Sequence, residues 1–110
     1  MKNILKYKNL LGSVNYSSAD EILFGKIEGI NDLVTFEGKS VAEFKKAFQE
    51  AVEDYLAICK EKGKPVYKPF KGSFNVRIDP NLHKKAALKS TELGISLNQL
   101  VEEAIADWLK

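Results

Sequence analysis

The chain has 110 residues, 45% hydrophobic and 29% charged, a globular mix that excludes disorder of the whole chain and leaves room for at most two small domains. One cysteine, Cys59, excludes an internal disulfide framework and a cysteine-based zinc site, and no apolar run approaches the roughly 18 residues of a membrane span. The net charge of +2 is unevenly laid: residues 1–59 carry −2, residues 60–90 carry +7 and residues 91–110 carry −3, so a polyanion would meet only the middle of the chain, unless that middle is a solvated lysine-rich linker.

In chain order, Met1-Lys2-Asn3-Ile4-Leu5-Lys6 is too polar and too interrupted for a signal peptide, so a cytoplasmic protein is expected. From Leu10, alternation places Leu10, Gly12, Val14 and Tyr16 on one strand face and Leu11, Ser13 and Asn15 on the other. Ser17-Ser18-Ala19-Asp20 predicts a turn into a second strand, Ile22–Ile27. Gly29-Ile30-Asn31-Asp32 predicts another turn, and Leu33–Glu37 a third strand ended by Gly38.

Ser40-Val41-Ala42-Glu43 is a capping box, in which the serine hydroxyl and the glutamate carboxylate satisfy each other's amides. Val41, Phe44, Ala47, Phe48, Ala51, Val52, Tyr55 and Cys59 then recur in steps of three and four along one helix face, opposite Lys45, Lys46, Glu50, Glu53 and Asp54. Gly63 suits a left-handed helix end and Pro65 blocks continuation. A three-stranded meander with this helix on one face is the expected two-layer unit of residues 1–63. Residues 64–72 combine prolines and lysines without periodicity and read as a linker.

Residues 73–110 change character. Ser73–Ile78 predicts a short strand with Phe74, Val76 and Ile78 on one side and Ser73, Asn75 and Arg77 on the other. Asp79-Pro80 opens a helix with Leu82, Ala86, Ala87 and Leu93 on one face, which stops at Gly94. Ser96-Leu97-Asn98-Gln99 opens a last helix with Leu97, Leu100, Val101, Ala104, Ile105, Trp108 and Leu109 on one stripe.

One strand and two helices cannot bury an adequate core alone, and a lone strand leaves both edges unpaired. Antiparallel pairing with the same strand of a second chain answers both needs. The ribbon would show Ser73, Asn75 and Arg77, and a two-stranded ribbon fits the major groove, where Arg reads guanine and Asn reads adenine. Lys71, the Ser96 hydroxyl and the free amides of Leu97 and Asn98 would take phosphates.

Phe74-Asn75-Val76-Arg77-Ile78, Asp79-Pro80 and Gly94-Ile95-Ser96-Leu97-Asn98 together resemble the ribbon-helix-helix repressors of the Arc and MetJ type. The resemblance covers about residues 71–110. It implies an obligate dimer that reads operator DNA through alternate strand residues, with base contacts at Ser73, Asn75 and Arg77.

Upstream, Tyr16 before a turn, Phe24-Gly25-Lys26-Ile27, Gly29-Ile30 and a capped helix ending Asp54-Tyr55-Leu56 and a glycine resemble the HicB antitoxins. That family joins a small, partly ribonuclease H-like β-β-β-α unit to a DNA-binding module. The resemblance implies neutralisation of a HicA-like mRNA-cleaving toxin and repression of the shared operon. A toxin that grips RNA should be basic, so Asp20, Glu21, Glu28 and Asp32, with Leu11 and Leu23 as exposed strand residues, are the candidate toxin contacts.

The fold class is thus expected to be α+β, with a homodimer through residues 73–110 and both dimer and tetramer open. No cofactor or metal is expected, and no catalysis. Ribonuclease H-type chemistry needs carboxylates converging on metal, whereas Asp20, Glu21, Glu28, Asp32 and Glu37 fall in turns and at strand ends, with Gly12 and Ser13 at the centre of the first strand. His83, the only histidine, sits beside Lys84 and Lys85, and Cys59 and Trp108 read as packing residues. Two other readings stand beside the antitoxin: a ribbon-helix-helix regulator whose first unit senses a ligand or another protein, and a small metal-dependent nuclease.

Overall fold

The computed structural model describes residues 3–110 as an α+β chain with five strands in two small sheets and three helices. It divides into two compact units between Lys71 and Gly72.

The first unit opens with a hairpin absent from the sequence-based expectation. Strand β1 (Ile4–Tyr7) pairs antiparallel with β2 (Leu10–Ser13), and Tyr7 stands opposite Leu10, which leaves a two-residue loop. Lys8 and Asn9 hold φ of 49° and 66° in that loop, the left-handed pair whose twist matches a right-twisted hairpin. Strands β3 (Asn15–Ser17), β4 (Ile22–Lys26) and β5 (Thr35–Gly38) form the second sheet in that order, all antiparallel.

The long first strand read from the sequence is therefore two strands, β2 and β3. Both face β4 in one register, since Gly12 bridges Ile27 and Asn15 stands opposite Phe24. The ladder is interrupted where β4 runs closest to its neighbour: a Cβ on Gly25 would lie 1.9 Å from the Ser13 carbonyl oxygen. The Ser13 hydroxyl spans the gap, accepting from the Lys26 N–H at 3.0 Å and donating to the Lys26 carbonyl at 3.4 Å. The third strand also begins two residues later than expected and includes Gly38, and Leu33 is 77% exposed before it.

Helix α1 (Val41–Lys62) starts and stops where expected, with the serine half of the capping box formed and no bond from the Ser40 N–H to the Glu43 carboxylate. The Ser40 hydroxyl accepts from the Glu43 N–H at 3.1 Å. At the other end Gly63 adopts φ 65°, the Lys64 N–H reaches the Cys59 carbonyl and the Gly63 N–H reaches that of Lys60, the paired closure of a Schellman motif. Phe44, Phe48, Val52, Tyr55 and Cys59 of the stripe are buried against Leu10, Ile27 and Phe36. The Phe36 ring centroid lies 5.2 Å from that of Phe44 and 4.9 Å from that of Phe48. Gly12 makes room for this cluster, because a Cβ there would fall 2.6 Å from the Phe48 ring. Val41, expected on the stripe, is exposed in the first turn.

Residues 64–72 form no helix or strand, yet their first half is fastened to the unit. The Tyr55 hydroxyl holds the Val66 carbonyl, the Lys68 N–H donates to the Gly29 carbonyl at 3.0 Å, and Lys64 pairs with Asp32.

In the second unit, helices α2 (Pro80–Leu93) and α3 (Leu97–Trp108) are capped as predicted. The Asp79 carboxylate accepts from the N–H groups of Asn81 and Leu82, Gly94 closes α2 at φ 71°, and the Ser96 hydroxyl accepts from the Gln99 N–H. The strand expected over Ser73–Ile78 is not formed within the one chain. A strand is a ladder, and this unit offers a single non-helical segment with nothing of its own to pair. Ser90 is the one buried residue of the unit, its hydroxyl donating to the Ala87 carbonyl at 2.8 Å.

Candidate functional site

The residues expected to meet DNA fall on two pieces of the second unit. Ser73, Asn75 and Arg77 lie on the irregular segment before α2, and all three are exposed, as is Lys71 just ahead of them. Phe74, Val76 and Ile78, which alternate with them, are exposed as well, so burial does not separate two faces in a single chain. Ser96, Leu97 and Asn98 sit at the start of α3, with Leu97 half-buried and the other two exposed. The Ser96 hydroxyl is engaged by Gln99, while the N–H groups of Leu97 and Asn98 belong to the first turn, which no intrahelical carbonyl can satisfy. These groups can hydrogen-bond an anion, and Arg77 and Asn75 can each make two hydrogen bonds to a base edge.

The residues expected to meet a toxin are spread over the first unit. Asp20 lies in the turn between β3 and β4, its backbone N–H donating to the Ser17 hydroxyl at 3.3 Å. Glu21 follows at φ 53°, a left-handed conformation uncommon for a residue with a side chain. The Glu28 backbone N–H donates to the Leu11 carbonyl at 2.8 Å, beyond the end of β4. Asp32 is paired with Lys64, and that carboxylate holds the Lys64 ammonium above its usual range. Leu11 is 43% exposed. Leu23 is not the exposed strand residue it was expected to be: it packs against the core cluster, since its register position opposite Gly38 turns it towards α1.

The same alternation reveals residues that sequence reasoning passed over. With Leu23 and Gly25 turned inward, Ile22 and Phe24 face the other side of the sheet, as Ile4 does from β1. Phe24 is 39% exposed and Ile4 45%. The run Ile22-Leu23-Phe24 is apolar on both parities, which hid its orientation.

Among the described residues, no three His, Cys, Asp or Glu side chains are placed to share a metal ion. Asp20, Glu21, Glu28 and Asp32 lie in turns and bends, and Glu37 lies on β5. Cys59 is buried on α1 and His83 is exposed in α2. No helix among the described residues is long and apolar enough to cross a membrane.

Compared with known protein families, the chain matches the HicB family over residues 55–105, from the last two turns of α1 through the connector and α2 into α3. No curated protein and no solved structure matches it.

Proposed function

We propose that the chain is an antitoxin of the HicB kind and the repressor of its own operon. Residues 1–63 bind and inhibit a HicA-like mRNA-cleaving toxin. Residues 73–110 of two chains pair into a ribbon-helix-helix dimer that binds operator DNA, without catalysis.

The observation that carries this reading is the apolar surface that the second unit leaves uncovered. In one chain Phe74 is 72% exposed, Val76 56%, Ile78 45% and Trp108 87%, and the segment before α2 has no ladder partner. Two copies laid antiparallel through residues 73–78 supply each other with that partner and turn Phe74, Val76 and Ile78 onto the four helices. Ser73, Asn75 and Arg77 then face outward on a ribbon of the size the major groove admits. Lys71, Ser96, Leu97 and Asn98 take the phosphates, and the +7 of residues 60–90 gives the approach its direction. The HicB match supports the same reading, because it runs across the connector and both helices of this unit.

The test has two arms. Sedimentation equilibrium of the full chain, with anisotropy titration of the DNA upstream of its own gene, should give a dimer or tetramer that prefers this DNA to a scrambled duplex. A monomer at micromolar concentration with no preference overturns the DNA half. Co-expression with a HicA-like toxin should abolish mRNA cleavage by that toxin. Specific DNA binding without this protection would leave a ribbon-helix-helix regulator whose first unit senses something else.

A further inference from the structure

Helix α1 packs on one face of the first unit's strands, the face of Leu10, Gly12, Gly25 and Phe36. The opposite face carries Leu11, Phe24 and, from β1, Ile4, each between 39% and 45% exposed. Around Phe24 this face has a shallow hollow. Phe24 stands opposite Asn15 on β3 and Glu37 on β5, and the hollow is lined by Asp20, Ile22, Phe24, Thr35 and Glu37 among others. Its floor is apolar, its two charged lining residues are carboxylates, and none of its lining residues is cationic.

We infer that this hollow is the docking point of the toxin and that it receives a lysine or arginine side chain. The inference rests on the antitoxin reading, because a protein that grips RNA carries clustered cations on its surface. The alkyl stem of such a side chain lies on Phe24 and Ile22, which keeps apolar surface from water, while the cationic head reaches Asp20 and Glu37. An aromatic face beside a cation adds a further attraction. The acidic lining disfavours nucleic acid here. A second copy of the chain is the rival occupant, but it would have to bring cations from outside its own hollow.

The choice of carboxylates differs from the one the sequence suggests. Asp32 is engaged by Lys64, and Glu28 does not line this hollow. Glu37 does line it, placed there by its register opposite Phe24.

The experiment is isothermal titration of the full chain with a HicA-like toxin, for the parent and for Phe24→Ser, Glu37→Gln, Glu37→Lys and the control Glu50→Lys on the far face of α1. Phe24→Ser and Glu37→Lys should each weaken binding at least tenfold and Glu37→Gln by a smaller factor, with operator affinity and thermal midpoint unchanged, while Glu50→Lys binds as the parent does. Parent-like binding by all the hollow variants overturns the site while leaving the antitoxin reading in place. Altered sedimentation of Phe24→Ser alone, with toxin affinity intact, assigns the face to a second copy and overturns it too. A parent chain that does not bind the toxin removes the functional reading itself.

Discussion

The Tyr55 hydroxyl donates a 2.7 Å hydrogen bond to the Val66 carbonyl, so a side chain on the buried stripe of α1 holds the backbone that has already left the helix. Around that bond the connector is fastened at several points: the Cys59 thiol lies 3.9 Å from the Pro65 carbonyl, and the Tyr67 hydroxyl donates to the Asn9 carbonyl in the β1–β2 loop at 2.5 Å. The tether between the units is thereby shortened to the few residues after Lys68.

Stability of the first unit should fall in alkali through Tyr55. Burial of its ring, with Cys59 beside it, pushes the phenol up to about 12 from its ordinary 10.0. An unfolded Tyr55 loses its proton near 10 and the folded one only near 12, so this contribution is complete below pH 10 and lost as pH rises through that window. Urea midpoints of the parent and Tyr55→Phe between pH 9 and pH 12 check this. The variant should start lower by roughly 1 kcal/mol for the missing hydrogen bond and lose less stability across the window. Parallel curves would show that Tyr55 does not titrate differently in the fold.

Loosening the connector should make it cleavable. Lys64→Ala removes the ion pair with Asp32, and Tyr67→Phe removes the bond to Asn9. The double variant should be cut by chymotrypsin after residue 67 several-fold faster than the parent, with unchanged helicity by circular dichroism. Equal cleavage rates would mean that these two contacts do not hold the segment in solution.

Gly25→Ala should destabilise the first unit by roughly 1–3 kcal/mol, because the new methyl meets a backbone oxygen that cannot rotate away. Ser13→Ala should cost roughly 1–2 kcal/mol, since the Lys26 N–H loses its acceptor. Denaturant unfolding measures both, and an unaffected Gly25→Ala would show that the two strands are not so close.

Arg77→Ala should weaken operator binding by roughly 1–3 kcal/mol and relax preference at one base pair per half-site, with toxin inhibition intact. Lys71→Ala should weaken all duplexes alike and lower the slope of log affinity against log salt by about one. Anisotropy titrations at several salt concentrations distinguish the two, and parent-like operator binding by Arg77→Ala would remove the ribbon face as the reading surface.

Val76→Asp should prevent self-association of the second unit, because a carboxylate then replaces an apolar side chain of the shared core. Sedimentation equilibrium of the full chain should report a smaller species than the parent. An unchanged assembly would place the contact elsewhere.

The helices were legible residue by residue. Ser40, Asp79 and Ser96 cap the helices they were expected to cap, and Gly63 and Gly94 end theirs in left-handed conformations. The five buried residues of α1 all belong to the predicted stripe. The strands were less so. β1 was missed because Lys8-Asn9 lacks the glycine that usually marks a two-residue hairpin loop, although Asn tolerates positive φ. The third strand was placed early because Leu33 and Val34 look like strand residues, whereas the pairing of Lys26 with Thr35 starts the ladder later.

What the sequence determined by itself is whatever is settled within one helical turn: caps, stops, the apolar stripe of α1 and the division of charge along the chain. Their partners lie three or four residues away, so the signal and its consequence share one window. Tertiary structure decided the rest. Leu23 turned inward and Phe24 outward through pairing with β5, Asp32 was taken by Lys64, and Tyr67 found the Asn9 carbonyl 58 residues back along the chain. Each of these outcomes depends on which backbone groups and side chains the packed strands bring together, and no local propensity carries that information.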